Sequence, residues 1–130
     1  MRIDTHRILL VDDEPALLGA LRRMIERARP DAIVVYASDA DSAIWQLETT
    51  ALRFVLTDLK MQGNASAGWA VVDAARRAGV PIVILSGSVE TPEDEAQPNE
   101  LERASVPRVS KAALNGARLS ALVEQAFSLH

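Results

Sequence analysis

Acidic residues follow directly on two apolar segments of the sequence, in an arrangement suited to binding a cation. Residues 7–11, "RILLV", run into Asp12 and Asp13, and the segment "RFVLT" runs into Asp58. Carboxylates that lie close together repel one another, and either solvent or a bound cation must relieve the repulsion. The chain has no cysteine, and its two histidines lie near the chain ends. If the acids meet, their oxygen atoms favour a hard ion such as Mg²⁺.

Two further polar residues follow apolar segments later in the chain. Ser86 comes after "PIVIL" and Lys111 comes after "VPRVS". A carboxylate beside a metal ion and an ammonium group is suited to phosphoryl transfer, because the carboxylate is a nucleophile and the two cations offset charge on the transferring oxygens. The ordinary alternatives are a plain turn at "SGS" and a solvated surface lysine. The chemistry therefore depends on whether the fold brings these residues to one cleft.

Apolar segments of strand length alternate with helical patterns, which is typical of a parallel sheet covered on both faces. The predicted strands cover residues 7–11, 32–37, 53–58, 81–87 and 106–110. The predicted helices begin at Pro15, after a cap at Ser38 or Asp39, at residue 66 and at residue 115. The stretch 89–105 holds six acids and two prolines, so we expect its helix to be short or mobile.

This pattern predicts an α/β fold, a doubly wound five-stranded parallel sheet of order 2-1-3-4-5. Ligands bind such sheets outside the carboxyl ends of the strands, where the winding reverses. Strands one, three and four are neighbours in this order. Three carboxylates, one hydroxyl and one ammonium group should therefore converge on a single cleft.

Length and composition limit the function classes. The 130 residues, of which 48% are hydrophobic and 25% charged, predict one globular domain over residues 1–130. The net charge of −4 and the lack of a Lys/Arg-rich run argue against direct nucleic-acid binding. The absence of cysteine excludes disulfides and thiol catalysis. No apolar run approaches the ~20 residues of a membrane span and no signal peptide is visible, so we expect a cytoplasmic protein without a membrane contact.

Four segments carry a resemblance to a known family. They are "LLVDDEP", "VLTDLKM", "VILSGS" and "VSKAAL", in this order and spacing. The chain resembles, over essentially its whole length, the receiver domain of two-component response regulators, chemotaxis proteins among them. The resemblance implies a flavodoxin-like fold. It also implies that Asp58 accepts a phosphoryl group from a histidine kinase or a histidine phosphotransfer protein, with Mg²⁺, or Mn²⁺ in its place, as cofactor.

The resemblance also implies roles for the neighbouring residues. Asp13 should ligate the metal directly and Asp12 largely through water, while Asp58 and the backbone carbonyl of Lys60 complete the protein ligands. Ser86 should donate a hydrogen bond to one phosphoryl oxygen, and Lys111 should pair with another. Such a domain catalyses its own phosphorylation and dephosphorylation without being a conventional turnover enzyme.

Signalling and phosphoryl lifetime are further expectations from the resemblance. The domain should signal by phosphorylation-dependent binding to a downstream protein, through the face formed by the helix before strand five, that strand and the closing helix. Lys60 and Ser88 should flank the path of the attacking water. Because the side chain of Lys60 is long enough to shield the acyl phosphate, we expect a long-lived phosphoryl group.

Three positions depart from the family pattern. Arg108 stands where an aromatic residue usually moves inward on phosphorylation, and a guanidinium group cannot be buried there without a partner. The usual aromatic switch should therefore be absent, and Arg108 could pair with the acidic segment 90–102. Ala112 replaces a proline that usually follows a cis peptide bond, so either the loop is trans or strain is stored there. Gln62 replaces a proline in the loop after Asp58.

Four readings of function remain open. The first is an active receiver, either a stand-alone protein or a domain of a longer one, and the second is a degenerate receiver that binds partners without phosphorylation. The third is a phosphohydrolase with an aspartyl nucleophile, against which Lys60 argues, since such enzymes usually carry an acid two residues after the nucleophile. The fourth is a flavodoxin-like cofactor binder, which would need a phosphate-binding loop where this chain has "DDEP".

Overall fold

The structure, a computed structural model, describes residues 5–59, 61, 65–86 and 106–128. Several expectations fall outside these ranges. They concern the backbone carbonyl of Lys60, Gln62, Ser88, and the acidic stretch with its helix.

Strands and helices alternate along the described part of the chain. The strands are β1 (Arg7–Val11), β2 (Ile33–Ala37), β3 (Phe54–Asp58), β4 (Ile82–Ser86) and β5 (Arg108–Ser110). The helices are α1 (Pro15–Ala28), α2 (Ala40–Thr49), α3 (Ala65–Ala78) and α4 (Gly116–Phe127). The strands form one parallel sheet in the order β2-β1-β3-β4-β5, which confirms the predicted topology.

Local sequence signals explain where the helices begin and end. Pro15 occupies the first turn of α1, where its missing N–H would have no partner within the helix. The Asp39 carboxylate accepts a hydrogen bond of 2.7 Å from the Ser42 N–H and so caps α2. Asn115 caps α4 in the same way. Gly79, with φ of +73°, ends α3 in the left-handed region that glycine adopts without strain.

Two apolar clusters lie on opposite faces of the sheet. Helices α2 and α3 pack on one face against residues such as Val55 and Ile84. Helices α1 and α4 pack on the other face against residues such as Leu10 and Leu56. β1 and β3 have near-continuous buried residues, as strands covered on both faces require. None of the helices within the described ranges is long and apolar enough to cross a membrane.

Candidate functional site

Three carboxylates meet at the carboxyl edge of the sheet. Oxygen atoms of Asp12, Asp13 and Asp58 all lie within 4.8 Å of one another. Asp12 and Asp58 are buried, with 1% and 5% of their surface exposed, whereas Asp13 faces solvent. The prediction that these acids converge is confirmed.

The register of the central strands explains this convergence. Val11 on β1 pairs with Thr57 on β3, so that the next residue of each strand is an acid. The Asp12 N–H continues the β1–β2 pairing with a hydrogen bond of 3.1 Å to the Ala37 carbonyl. The Asp12 Oδ1 accepts a hydrogen bond of 2.9 Å from the Glu14 N–H, which fixes the carboxylate at the turn into α1. Strand pairing therefore brings the acids together, and the hydrogen bond at the turn into α1 fixes the Asp12 carboxylate.

Lys111 joins the acidic cluster from β5. Its Nζ lies 2.9 Å from Oδ2 of Asp12 and 3.2 Å from Oδ2 of Asp58. Its backbone N–H donates a hydrogen bond of 2.8 Å to the Ser86 carbonyl, which ties the lysine to the end of β4. No cis peptide bond occurs in the described ranges, so the bond between Lys111 and Ala112 is trans. The lysine reaches both carboxylates with this trans bond.

Ser86 lies at the same edge as the cluster. Asp58 pairs with Leu85, and Ser86, the following residue of β4, pairs with Ser110. Ser86 is half-buried and ends its strand. The strand therefore ends at the edge where the acids lie, and the contact of the Ser86 hydroxyl with a phosphoryl oxygen stays a prediction.

Burial and neighbouring charges shift two pKa values in the site. Burial and the charge of Asp12 raise the pKa of Asp58 above its ordinary value, and the nearby Lys111 only partly offsets them. Burial by itself would lower the pKa of Lys111, but the hydrogen bond to Asp12 and the charge of Asp58 outweigh it. The pKa of Lys111 is therefore raised. Lys111 is thus a permanent positive charge beside a carboxylate that is costly to ionise.

The donor atoms of the acidic cluster fit a hard divalent cation. All three side chains offer carboxylate oxygens, the ligands that Mg²⁺ prefers. Burial and the charge of Asp12 raise the pKa of Asp58, and a divalent cation would oppose both effects. The chemistry of the site therefore combines a metal-binding cluster, a buried carboxylate and a fixed ammonium group.

Thr57 and Gly68, which the sequence patterns did not single out, hold the backbone around Asp58. The Thr57 hydroxyl, fully buried, donates a hydrogen bond of 3.0 Å to the Asp58 carbonyl. The Gly68 N–H donates one of 3.1 Å to the Leu59 carbonyl. A Cβ atom on Gly68 would lie 2.3 Å from that same carbonyl oxygen. A glycine inside a helical pattern was the available signal for such a close approach.

Arg108 lies beside an aromatic residue of α3. Its guanidinium carbon is 5.1 Å from the centroid of the Trp69 ring, within the range of a cation–π contact. Trp69 is buried, with 2% of its surface exposed. The expected pairing of Arg108 with the acidic segment 90–102 concerns residues outside the described ranges and stays a prediction.

Comparisons with known proteins identify the class. A family model described as "Response regulator receiver domain" matches residues 8–102. The nitrogen assimilation regulatory protein NtrX of Azorhizobium caulinodans is 32% identical over 90 residues, which are 66% of this chain and 19% of the relative. The matched region thus spans about a fifth of that curated relative.

Solved structures show the same fold. The receiver domain of NtrX from Brucella abortus is 26% identical, with a TM-score of 0.74 over 95% of this chain and 99% of that chain. A response regulator receiver protein from Sinorhizobium medicae is 27% identical, with a TM-score of 0.75 over 98% of each chain.

This chain therefore belongs to the response regulator receiver domain family of two-component systems. Phosphorylation-dependent signalling is standard for that family. Its members interact with histidine kinases or phosphotransfer proteins and bind Mg²⁺ at the acidic site.

Proposed function

We propose that this domain accepts a phosphoryl group on Asp58 from a histidine kinase or histidine phosphotransfer protein, and then binds a downstream protein. The observation that carries the proposal is the environment of Asp58. It is a buried carboxylate at a strand end, with an ammonium group at 3.2 Å and two further acids beside it.

The phosphoryl transfer forms one bond and breaks another. An Asp58 carboxylate oxygen attacks the phosphorus of a phosphohistidine, the new O–P bond forms, and the N–P bond breaks with its electron pair going to the imidazole. Lys111 offsets the negative charge on the phosphoryl oxygens, and the Ser86 hydroxyl donates a hydrogen bond to one of them. Hydrolysis of the resulting acyl phosphate returns Asp58 and inorganic phosphate.

We assign the metal site to the acidic cluster. Asp13 would hold Mg²⁺ directly, Asp12 largely through water, and Asp58 and the Lys60 carbonyl would complete the protein ligands. The bound ion supplies positive charge against the transferring oxygens. Mn²⁺ has similar ligand preferences and should substitute for it.

We place residues 1–130 in a single receiver domain, as the match over nearly the full length of the Sinorhizobium medicae protein supports. We place the domain in the cytoplasm and assign it a protein partner in preference to nucleic acid or a membrane. The long side chain of Lys60 should slow hydrolysis of the phosphoryl group, and hydrolysis within seconds in the isolated domain would contradict this part of the proposal.

Intact-mass analysis tests the proposal. The domain is incubated with acetyl phosphate and Mg²⁺, alongside Asp58→Asn and the matched control Asp41→Asn, which removes an exposed acid on α2. We expect a single phosphoryl adduct on the wild type and on the control, and none on Asp58→Asn. A folded wild type without an adduct would instead favour the degenerate receiver, which binds partners without phosphorylation.

A further inference from the structure

The contact between Arg108 and Trp69 joins β5 and α3, and each of these elements also contacts the region of the acidic cluster. Arg108 lies on β5, and Trp69 lies on α3 with its ring 5.1 Å from the guanidinium carbon. β5 has three residues and, among the strands that the structure describes, lies at the edge of the sheet and pairs with β4. A strand this short is weakly held by its own pairing, so a contact to a buried side chain on a helix adds to its anchoring.

On the α3 side, the contact leads to Asp58. Trp69 directly follows Gly68, whose N–H donates to the Leu59 carbonyl at 3.1 Å. The tight approach of Gly68 to Leu59 leaves no room for a side chain, so α3 packs directly against the backbone after Asp58. Trp69 is therefore one residue away from a direct backbone contact with Leu59, the neighbour of Asp58.

On the β5 side, the contact leads to Lys111. Arg108 is three residues before Lys111, and Ser110 between them pairs with Ser86. The Lys111 N–H is bonded to the Ser86 carbonyl, and its ammonium group reaches Asp58 at 3.2 Å. Together the two paths form a closed ring of contacts that begins and ends at Asp58.

We propose that Arg108 is a positioning residue, which through Trp69 holds β5 against α3 and so sets the place of Lys111 relative to Asp58. This inference rests on the proposed function, because Lys111 matters here through the transferred phosphoryl group. Coupling is reciprocal, so phosphorylation of Asp58, by drawing Lys111 towards the phosphoryl oxygens, changes the environment of the Trp69 ring. Trp69 thus reports the state of the site.

The chain offers a direct optical test. It has two tryptophans, Trp45 and Trp69, of which Trp45 is 62% exposed and Trp69 only 2%. Trp45→Phe leaves Trp69 as the single indole and removes an exposed side chain that packs little. In this background, Arg108→Gln removes the cation while keeping a long polar side chain, and Arg108→Lys keeps the charge. Arg118→Gln removes an exposed arginine of α4 as the matched control.

Fluorescence and intact mass are then followed together after addition of acetyl phosphate and Mg²⁺. We expect Trp69 emission to change in step with the adduct. Arg108→Gln should shift the Trp69 emission before phosphorylation and reduce the change in emission that phosphorylation causes. It should also slow adduct formation by a factor of about two to five, which is the size of effect expected from a partly exposed cation–π contact. Arg108→Lys should restore part of both effects, and Arg118→Gln should match its parent.

The outcomes separate this inference from the proposed function. An adduct that forms at the same rate with the same emission change in Arg108→Gln and in Arg118→Gln overturns the inference and leaves the function intact. Absence of an adduct in the folded Trp45→Phe parent overturns both. Circular dichroism of each variant identifies an unfolded protein, and Arg108→Lys then decides the question if Arg108→Gln does not fold.

Discussion

The ammonium nitrogen of Lys111 lies 3.2 Å from a carboxylate oxygen of Asp58. The same nitrogen lies 2.9 Å from Oδ2 of Asp12, so one lysine bridges two buried acids. This arrangement keeps a positive charge next to the carboxylate that we propose as the nucleophile. In the absence of a metal ion, the charge of Lys111 should therefore stabilise the two acids.

Removal of the lysine charge should affect both reaction and stability. Lys111→Met should slow phosphorylation by acetyl phosphate about 10²–10³-fold, the range found when a charge-stabilising donor is removed. Without Mg²⁺ it should also destabilise the fold by about 1–3 kcal/mol, because two buried acids lose their counter-charge and the site remains partly open to water. Urea unfolding with and without Mg²⁺ measures the second effect. A variant as active and as stable as the wild type would show that Lys111 has neither role.

Neutralisation of Asp58 should have the opposite effect on stability. Since the folded state raises the pKa of Asp58, the protonated form is favoured on folding, and stability is lost as pH rises through the folded-state pKa. At pH 7 without Mg²⁺, Asp58→Asn should therefore raise Tm by about 2–5 °C, which corresponds to roughly 1 kcal/mol. The gain should shrink as pH falls below the raised folded-state pKa and should vanish below the ordinary carboxyl pKa. Thermal melts over a pH series, with Asp41→Asn as control, measure the change in Tm. A Tm of Asp58→Asn at pH 7 below that of the wild type would contradict the expected stabilisation.

Magnesium should stabilise the domain through the exposed acid of the cluster. A ligand at 100 times its Kd stabilises the folded state by about 2.7 kcal/mol, so Tm should rise with Mg²⁺ concentration. Asp13→Asn should remove most of this rise with little effect on Tm in the absence of metal, because Asp13 is exposed. Thermal shift titrations measure both quantities, and Asp41→Asn should respond as the wild type does. An undiminished Mg²⁺ response in Asp13→Asn would remove Asp13 from the metal site.

A methyl group on Gly68 should disturb the backbone beside Asp58. Its Cβ would lie 2.3 Å from the Leu59 carbonyl oxygen and 2.6 Å from the Leu59 Cα, and both are backbone atoms that cannot rotate away. We expect Gly68→Ala to cost about 1–3 kcal/mol and to slow phosphorylation. Gly19→Ala is a matched control inside α1, where the nearest neighbour is the end of the Arg23 side chain at 3.5 Å. That control should be neutral or slightly stabilising in chemical denaturation.

The sheet order and the meeting of the acids were predictable because both follow from local patterns. Parallel strands bring their carboxyl ends to one edge, so residues placed directly after apolar segments, such as Asp12 and Asp58, had to approach one another. The roles assigned to Ser86, Lys111 and the metal ligands stay predictions, although Lys111 contacts two of the acids.

Other features could not be read from the sequence because they depend on how helices pack on the sheet. The contact of Arg108 with Trp69 joins residues 39 positions apart, and neither residue type alone indicates the other. The raised pKa of Asp58 likewise depends on burial and on the distances to Asp12 and Lys111. The presence of Arg108 in place of the usual aromatic residue indicated that the aromatic switch is altered. Only the packing of α3 on the sheet shows that the side chain facing Arg108 is Trp69.

The position of the phosphoryl group on the chain decides whether Asp58 is the phosphoacceptor. After incubation with acetyl phosphate and Mg²⁺, borohydride reduces an aspartyl phosphate to homoserine, and peptide mass mapping then identifies the converted residue. We predict conversion at Asp58 alone, with Asp12 and Asp13 unchanged. Conversion at another acid, or none in a protein that carries the adduct by intact mass, would contradict the assignment of Asp58 as the phosphoacceptor.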